Sequence, residues 1–91
     1  MSILDDILKL KRSIDHFDQK IERMHLEFER YLHGDLKKLP NLEGLEKELL
    51  AFSRRKIYDL QLSHQLDRVL YKFQNRKKIW MRWVDQAHGG N

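Results

Sequence analysis

The chain of 91 residues contains no cysteine, one proline and four glycines. Without cysteine, neither a disulfide nor a thiolate metal site can form, which is compatible with a reducing cytoplasm. The longest apolar runs are only a few residues, too short for a membrane-spanning helix. Asp5 and Asp6 stand where a secretory signal carries Lys or Arg. We therefore expect a soluble, cytoplasmic protein with no membrane partner.

Sequence patterns for chemistry are also missing. The chain has no glycine-rich phosphate loop, and no nucleophile stands beside a base and an orienting acid in a readable pattern. The five histidines include no pair at i and i+4 and no ligand spacing with carboxylates. We therefore predict no catalytic residue, no metal site, no cofactor and no enzymatic activity.

What the chain does have is an apolar residue at steps of four and three throughout its first third. Residues at this spacing lie on one face of a helix, in a stripe about 45 Å long. Either the rest of the chain or a second molecule must cover it. The stripe, called the seam below, consists of Ile3, Ile7, Leu10, Ile14, Phe17, Ile21, Met24, Phe28 and Tyr31. The predicted self-association surface is Ile7, Leu10, Ile14, Phe17, Ile21, Met24 and Phe28.

Capping signals bound the first helix. Ser2 and Asp5 have the spacing of a capping box, and Gly34 is able to take the left-handed conformation that ends a helix. These signals predict helix 1 at about 3–33.

The second half of the chain predicts two more helices. Asn41, after Pro40, is a good N-cap, and polar residues interrupt the apolar phase before Ser63, which is able to cap a new helix. We place helix 2 at about 41–59 and helix 3 at about 63–87, with a disordered tail at 88–91. The alternative is one unbroken helix from 41 to 87.

The predicted fold is therefore a single all-α domain over residues 1–91. It is an antiparallel three-helix bundle, or a bent helical hairpin, with a long heptad-patterned first helix.

Charge is unevenly distributed, with a balance of −2 over residues 1–50 and +6 over residues 51–91. Both tryptophans and five of the eighteen basic residues lie between Tyr71 and Trp83. Interleaved aromatic and basic side chains suit RNA or single-stranded DNA. The alternative interpretation is that the aromatic side chains are core and that Arg76 lies at its edge or pairs with a helix 1 carboxylate. The candidate residues for a partner or for phosphate are Arg54, Arg55, Lys72, Arg76, Lys77, Lys78, Trp80, Arg82 and Trp83.

One segment resembles the start of the all-helical chorismate mutases, which reads L-R-x-x-I-D-x-I/L-D. The matching residues run from Leu10 to Asp18 as L-K-R-S-I-D-H-F-D. Lys11 replaces the first substrate-binding arginine of that family, and Phe28 stands where its second helix 1 arginine is expected. The resemblance implies mutase activity as the third-ranked function.

A second resemblance spans roughly residues 20–86. The helix end Phe28-Glu29-Arg30-Tyr31-Leu32-His33-Gly34, then Pro40, then Trp80-Met81-Arg82, resembles short uncharacterised all-helical bacterial proteins. These share an F/Y-E-x-Y-x-x-G helix end and a late W-x-R. The resemblance implies a bacterial helical module and adds no catalytic residue.

The first-ranked function is a non-enzymatic interaction module that self-associates through the seam or binds another helical protein. The second is a nucleic-acid or ribosome-associated protein that uses the basic aromatic face of helix 3.

Overall fold

The computed structural model describes residues 2–89 and confirms the all-helical fold class. It contains three helices: α1 (Ile3–Leu32), α2 (Leu42–Ser53) and α3 (Leu60–Ala87). Together they form a rod of 53 × 20 × 17 Å. None of these helices is long and apolar enough to cross a membrane.

Local caps fix the ends of α1 close to where the sequence predicts them. The Ser2 hydroxyl accepts a hydrogen bond from the Leu4 amide at 3.2 Å. After the C-cap residue, Gly34 has φ 83°, a backbone conformation that favours glycine, and its amide donates to the Tyr31 carbonyl at 3.1 Å. The prediction of a helix at about 3–33 is therefore confirmed to within one residue.

The predicted extent of helix 2, about 41–59, is wrong, because α2 ends at Ser53. The Ser53 hydroxyl donates to the Leu50 carbonyl at 2.7 Å, and the Arg55 amide bonds only three residues back, to Phe52. A continuing helix would also turn Lys56 toward the core. Residues 54–59, called the strap below, leave the helix instead and exclude one unbroken helix from 41 to 87.

The predicted start of helix 3 is also wrong, because α3 begins at Leu60 and its N-cap is Asp59. The Asp59 carboxylate accepts a hydrogen bond from the Leu62 amide at 2.9 Å. Ser63 lies inside the helix and does not cap it. At the other end, the His88 amide bonds to the Val84 carbonyl, so the predicted tail disorder does not hold at His88. Gly90 and Asn91 lie outside the described residues.

α1 and α3 run parallel to each other. Nζ of Lys72 lies 2.9 Å from the Asp18 carboxylate, and Nε2 of His88 lies 2.8 Å from the Tyr31 hydroxyl. Residue numbers therefore rise in the same direction along both helices. This pair of helices makes most of the contacts between elements.

α2 runs in the opposite direction to the two long helices, which pack directly on each other. In its last turn, the ring centroid of Phe52 lies 5.3 Å from that of Phe17. One turn earlier, the Glu48 carboxylate lies 2.8 Å from Nζ of Lys20, which comes later in α1, so residue numbers fall along α1 as they rise along α2. The topology is therefore up-down-up, with each consecutive pair of helices antiparallel.

The core lies between the three helices, from Ile14 to Phe28 on α1 and from Leu62 to Trp80 on α3. Its buried side chains are Ile14, Phe17, Ile21, Met24, Phe28, Leu45, Leu49, Phe52, Leu62, Leu66, Val69, Phe73 and Trp80. With 12 residues, α2 is about 18 Å long and covers less than half of α1. Beyond it, α1 is covered by the first turns of α3 and by the strap, whose Ile57 packs at the edge of the core. The N-terminal end of α1 is therefore the least covered part of the rod.

Candidate functional site

The seam divides into a covered part and an open part. Its five middle residues are buried against α2 and α3 of the same chain: Ile14, Phe17, Ile21, Met24 and Phe28. They form the core, so a partner cannot reach them without opening the fold. Ile7 and Leu10 are only half-buried, and Ile3 is 78% exposed. The surface available for self-association is therefore the N-terminal end of the seam, narrower than the sequence predicts.

Three of the predicted phosphate-binding cations are paired with carboxylates of their own chain. Lys72 lies 2.6 Å from Glu22, Arg76 lies 2.9 Å from the same carboxylate, and Lys77 lies 2.7 Å from Glu46. These pairs fasten α3 to α1 and α2. A phosphate would have to displace a carboxylate to reach any of the three cations.

The pairing at Glu22 changes the pKa values of both partners. The hydrogen bond from Lys72 lowers the pKa of Glu22, against a smaller opposite effect of burial, and Arg76 lowers it further. Partial burial alone would lower the pKa of Lys72, but its hydrogen bonds with Glu22 and Asp18 and their charges together raise it. Both shifts favour the charged forms.

Trp80 is a core residue, which corrects its prediction as a stacking surface. Its side chain is 0% exposed and stacks on Phe28 with ring centroids 4.9 Å apart. Its indole Nε1–H donates to Nδ1 of His25 at 3.0 Å. Because that indole nitrogen only donates, Nδ1 must be the unprotonated nitrogen of the His25 ring. Trp83 packs on the same imidazole at 5.1 Å and is half-buried.

The remaining predicted cations do not form one surface. Lys78 and Arg82 lie with exposed Tyr71 on an outward ridge of α3, at the helical steps of seven and four, and make no ion pair within residues 2–89. Arg55 lies beside α1 instead, with its guanidinium 5.2 Å from the Phe52 ring. Arg54 is exposed at the end of α2. The two basic clusters are therefore separated along and around the rod.

Exposed apolar side chains gather at the end where α1 begins. Five large ones lie on the first turns of α1 or where the strap meets α3: Ile3, Leu4, Leu8, Tyr58 and Leu60. Tyr58 is 90% exposed and Leu60 is 70% exposed. Single exposed apolar residues are common, but a group at one end of a small protein is typical of an interaction site.

A groove runs through this apolar end, between α1 and the strap. It is called the end groove below and is lined by Ile3, Asp6, Ile7, Leu10, Lys56, Tyr58 and Asp59. It continues into a hollow whose charged lining residues are Asp6, Lys9, Arg55 and Lys56. The site thus has an apolar floor and a rim of mixed charge, with Asp6, Asp59 and Lys56 along the groove and Lys9 and Arg55 at the hollow.

Sequence reasoning misses the side of this site that the strap forms. It also does not single out Leu4 and Leu8 near the groove, because they lie off the seam and nothing in the periodicity distinguishes them from scattered surface leucines. Lys56 and Tyr58 line the groove because α2 ends at Ser53 and the non-helical strap that follows lies beside α1. One sequence feature could have indicated the strap. Polar residues interrupt the apolar spacing of the second half of the chain before Ser63, and this interruption is consistent with a break in the helix at residues 54–59.

Residues of the other predicted functions are dispersed. Lys11 is exposed on α1, whereas Phe28 is in the core. In the part of the chain from residue 2 to residue 89, no group of three or more His, Asp or Glu side chains is arranged to hold a metal ion.

Comparison with protein-family models, with curated proteins and with solved structures finds no match for this chain. The resemblances to chorismate mutases and to short bacterial helical proteins therefore stay predictions.

Proposed function

We propose that this protein is a non-enzymatic helical interaction module that self-associates through the end groove. The observation that carries the proposal is that five of the ten exposed large apolar side chains among the described residues lie at one end of the rod, where two of them, Ile3 and Tyr58, line the end groove. The same groove is able to accept an apolar helix of another protein.

The character of the groove supports a helical partner. Ile3, Ile7 and Leu10 continue the phase of the buried seam, so they offer the four-three spacing that an opposing helix packs against. Burying them removes apolar area from water at roughly 25 cal/mol per Å². The end groove is small, so we expect a weak complex with a dissociation constant in the micromolar range.

A charge placed on the groove tests the proposal. We expect Ile3→Asp to weaken self-association by about tenfold or more, because a carboxylate would have to leave water at the contact. The fold should survive, because Ile3 is exposed and acidic residues are favourable in the first turn of a helix. The measurement is light scattering across a concentration series, with circular dichroism to verify the fold.

Leu26→Asp is the matched control, since Leu26 is an exposed leucine on α1 outside the groove, at 59% exposure. It should leave association unchanged. Equal association of both variants, or a monomer at every concentration for the unmodified protein, would contradict the proposal.

The second candidate function is binding of nucleic acid on the outward ridge of α3. The specific observation in its favour is that Lys78 and Arg82 share this ridge with Tyr71, which is 71% exposed. Cations bind phosphates and an exposed aromatic ring offers a face for a base.

Salt dependence tests this second function. If the ridge binds single-stranded RNA, affinity for a fluorescent oligonucleotide should fall steeply as salt rises, and Lys78→Glu/Arg82→Glu should remove binding. Arg12→Glu/Arg23→Glu on exposed positions of α1 is the control for net charge. Equal loss with both double variants would mean that net charge, and not the ridge, attracts the oligonucleotide.

A further inference from the structure

His25 is the one histidine that the fold partly encloses. All five histidines of the chain lie within the described residues, and the other four are exposed. The His25 side chain is 21% exposed and lies on the flank of α1 that faces α3, away from the end groove. It is therefore buried enough to hold a contact between two helices and open enough to exchange a proton with water.

Both ring nitrogens of neutral His25 have partners. Nδ1 accepts the indole Nε1–H of Trp80 at 3.0 Å, and Nε2 lies 3.3 Å from the Glu29 carboxylate, so its proton faces an acceptor. Because an indole nitrogen donates and does not accept, a proton on Nδ1 would place two donors opposite each other. Trp80 is fully buried, so its indole N–H would then be left without an acceptor.

A proton on His25 gains attraction within α1 and loses a bond between helices. Glu29 lies one turn after His25 on the same helix, so it attracts an imidazolium whether or not α3 is in place. The bond from Trp80, in contrast, joins α3 to α1. Trp83 also faces the ring, but the attraction of a cation to a half-buried indole is weaker than the cost of an unpaired buried donor. The net effect is a weaker attachment of α3.

The other charged groups around His25 do not reverse this effect. Glu22, three residues before His25 on α1, is already bound by two cations of α3, one of which is Arg76. The guanidinium of Arg76 has the same sign as an imidazolium and would repel it. α2 packs on a different flank of α1. Its charged side chains pair elsewhere: Glu43, Glu46, Lys47 and Glu48.

We propose that His25 is a pH-sensitive contact that fastens the C-terminal turns of α3 to α1 at neutral pH and loosens them in acid. The neutral ring accepts the indole N–H of Trp80. The charged ring turns away from that N–H and keeps only Glu29, on its own helix. The contact does not depend on the end groove, so it stands or falls separately from self-association.

The indole is what makes this contact sensitive to protonation. A second histidine joins the same two helices, since Nε2 of His88 lies 2.8 Å from the Tyr31 hydroxyl. A hydroxyl both donates and accepts, so that bond persists whether or not Nε2 carries a proton. The Trp80 indole has no such freedom. His88 therefore provides a matched control for His25.

The indole proton of Trp80 reports the contact directly by NMR. The chain has two tryptophans and so two indole N–H signals, and Trp83→Phe identifies the one from Trp80. As the pH falls from about 8 to about 5, where histidine ordinarily changes charge, this signal should move upfield because its hydrogen bond is lost. In His25→Gln it should stay in place, because the amide carbonyl accepts a hydrogen bond and does not titrate. His88→Gln should leave the movement unchanged.

Hydrogen exchange measures the loosening of α3. At about pH 5, amides from Trp80 to Val84 should exchange about fivefold or more faster in the unmodified protein than in His25→Gln, and at about pH 8 equally. Comparison at one pH cancels the intrinsic pH dependence of exchange, and circular dichroism verifies that the variants are helical.

Three results would overturn the proposal. An indole signal that stays in place between the two pH values would show that the Trp80 bond does not break. An equal movement in His25→Gln would assign the change to another group. Equal exchange of the amides at acidic pH would show that α3 stays fastened without the bond.

Discussion

Glu22 is the carboxylate on which two cations of α3 converge. Lys72 and Arg76 both lie within 3 Å of its Oε1 atom, and the Lys72 ammonium also reaches Asp18 at 2.9 Å. The arrangement is a partly exposed network, since about half of the Glu22 side chain is in water. Networks of this kind stabilise more than single surface pairs do, although solvent screening keeps the free energy small.

Arg76 was predicted either to bind phosphate or to pair with a carboxylate of helix 1, and the sequence alone does not decide between the two roles. Its spacing places it within the apolar phase of helix 3, and the structure confirms the interpretation as a cation paired with an α1 carboxylate. One of its terminal nitrogens, Nη1, is buried without a hydrogen-bond partner among the described residues. Its contribution to stability is therefore smaller than that of a fully satisfied guanidinium.

Acidification should weaken the Glu22 network. Because folding lowers the pKa of Glu22, the stability it contributes is present above the ordinary glutamate pKa and is lost as the pH falls through the lowered value. We expect Glu22→Gln to cost free energy of unfolding near pH 7 and less at an acidic pH below the ordinary glutamate pKa, because the carboxylate is increasingly protonated there. Urea denaturation at both pH values gives the comparison.

The control is Glu27→Gln, because Glu27 makes no ion pair in the part of the chain that the structure describes. Its effect should be small at both pH values. A Glu22→Gln cost that is the same at neutral and acidic pH would rule out the ionised network as its source.

At the scale of elements, the strap is the feature that gives the molecule its shape. Because α2 ends after 12 residues, the chain passes beside the first turns of α1 as a non-helical segment and then begins α3 at Leu60. The Asp59 cap fixes the point at which α3 begins. The end groove exists because the strap, and not a helix, lies beside the first turns of α1.

Two alanine variants distinguish the observed cap from the predicted one. We expect Asp59→Ala to destabilise the protein by about 1 kcal/mol, because the Leu62 amide would lose its acceptor and α3 its N-terminal negative charge. Ser63→Ala should change stability by less than about 0.5 kcal/mol, because Ser63 lies within the helix and does not cap it. Thermal unfolding measures both, and a larger loss for Ser63→Ala would restore the predicted boundary.

At the scale of the whole molecule, the features that depend on neighbouring residues could be predicted from the sequence, whereas those that depend on contacts between distant parts of the chain could not. Helix 1 could be predicted because Ser2 and Gly34 satisfy its end groups within a few residues. The sequence offered both a core and a binding role for Trp80, and its burial confirms the core interpretation; which of the two applies is decided by the position of α1, a contact between residues far apart in the chain. The end groove could not be predicted either, because it needs the strap and α1 together.

The parallel pairing of α1 with α3 has a consequence during translation. α1 is made first, yet the helix that covers most of its seam is made last, and α2 contributes only a minor share of the contacts. At about 5–20 residues per second, roughly three to eleven seconds separate the synthesis of Leu32 from that of Ala87. During that interval only α2 is available within the chain to cover part of the seam, so the rest of it is accessible to other nascent chains or to a chaperone until α3 is complete.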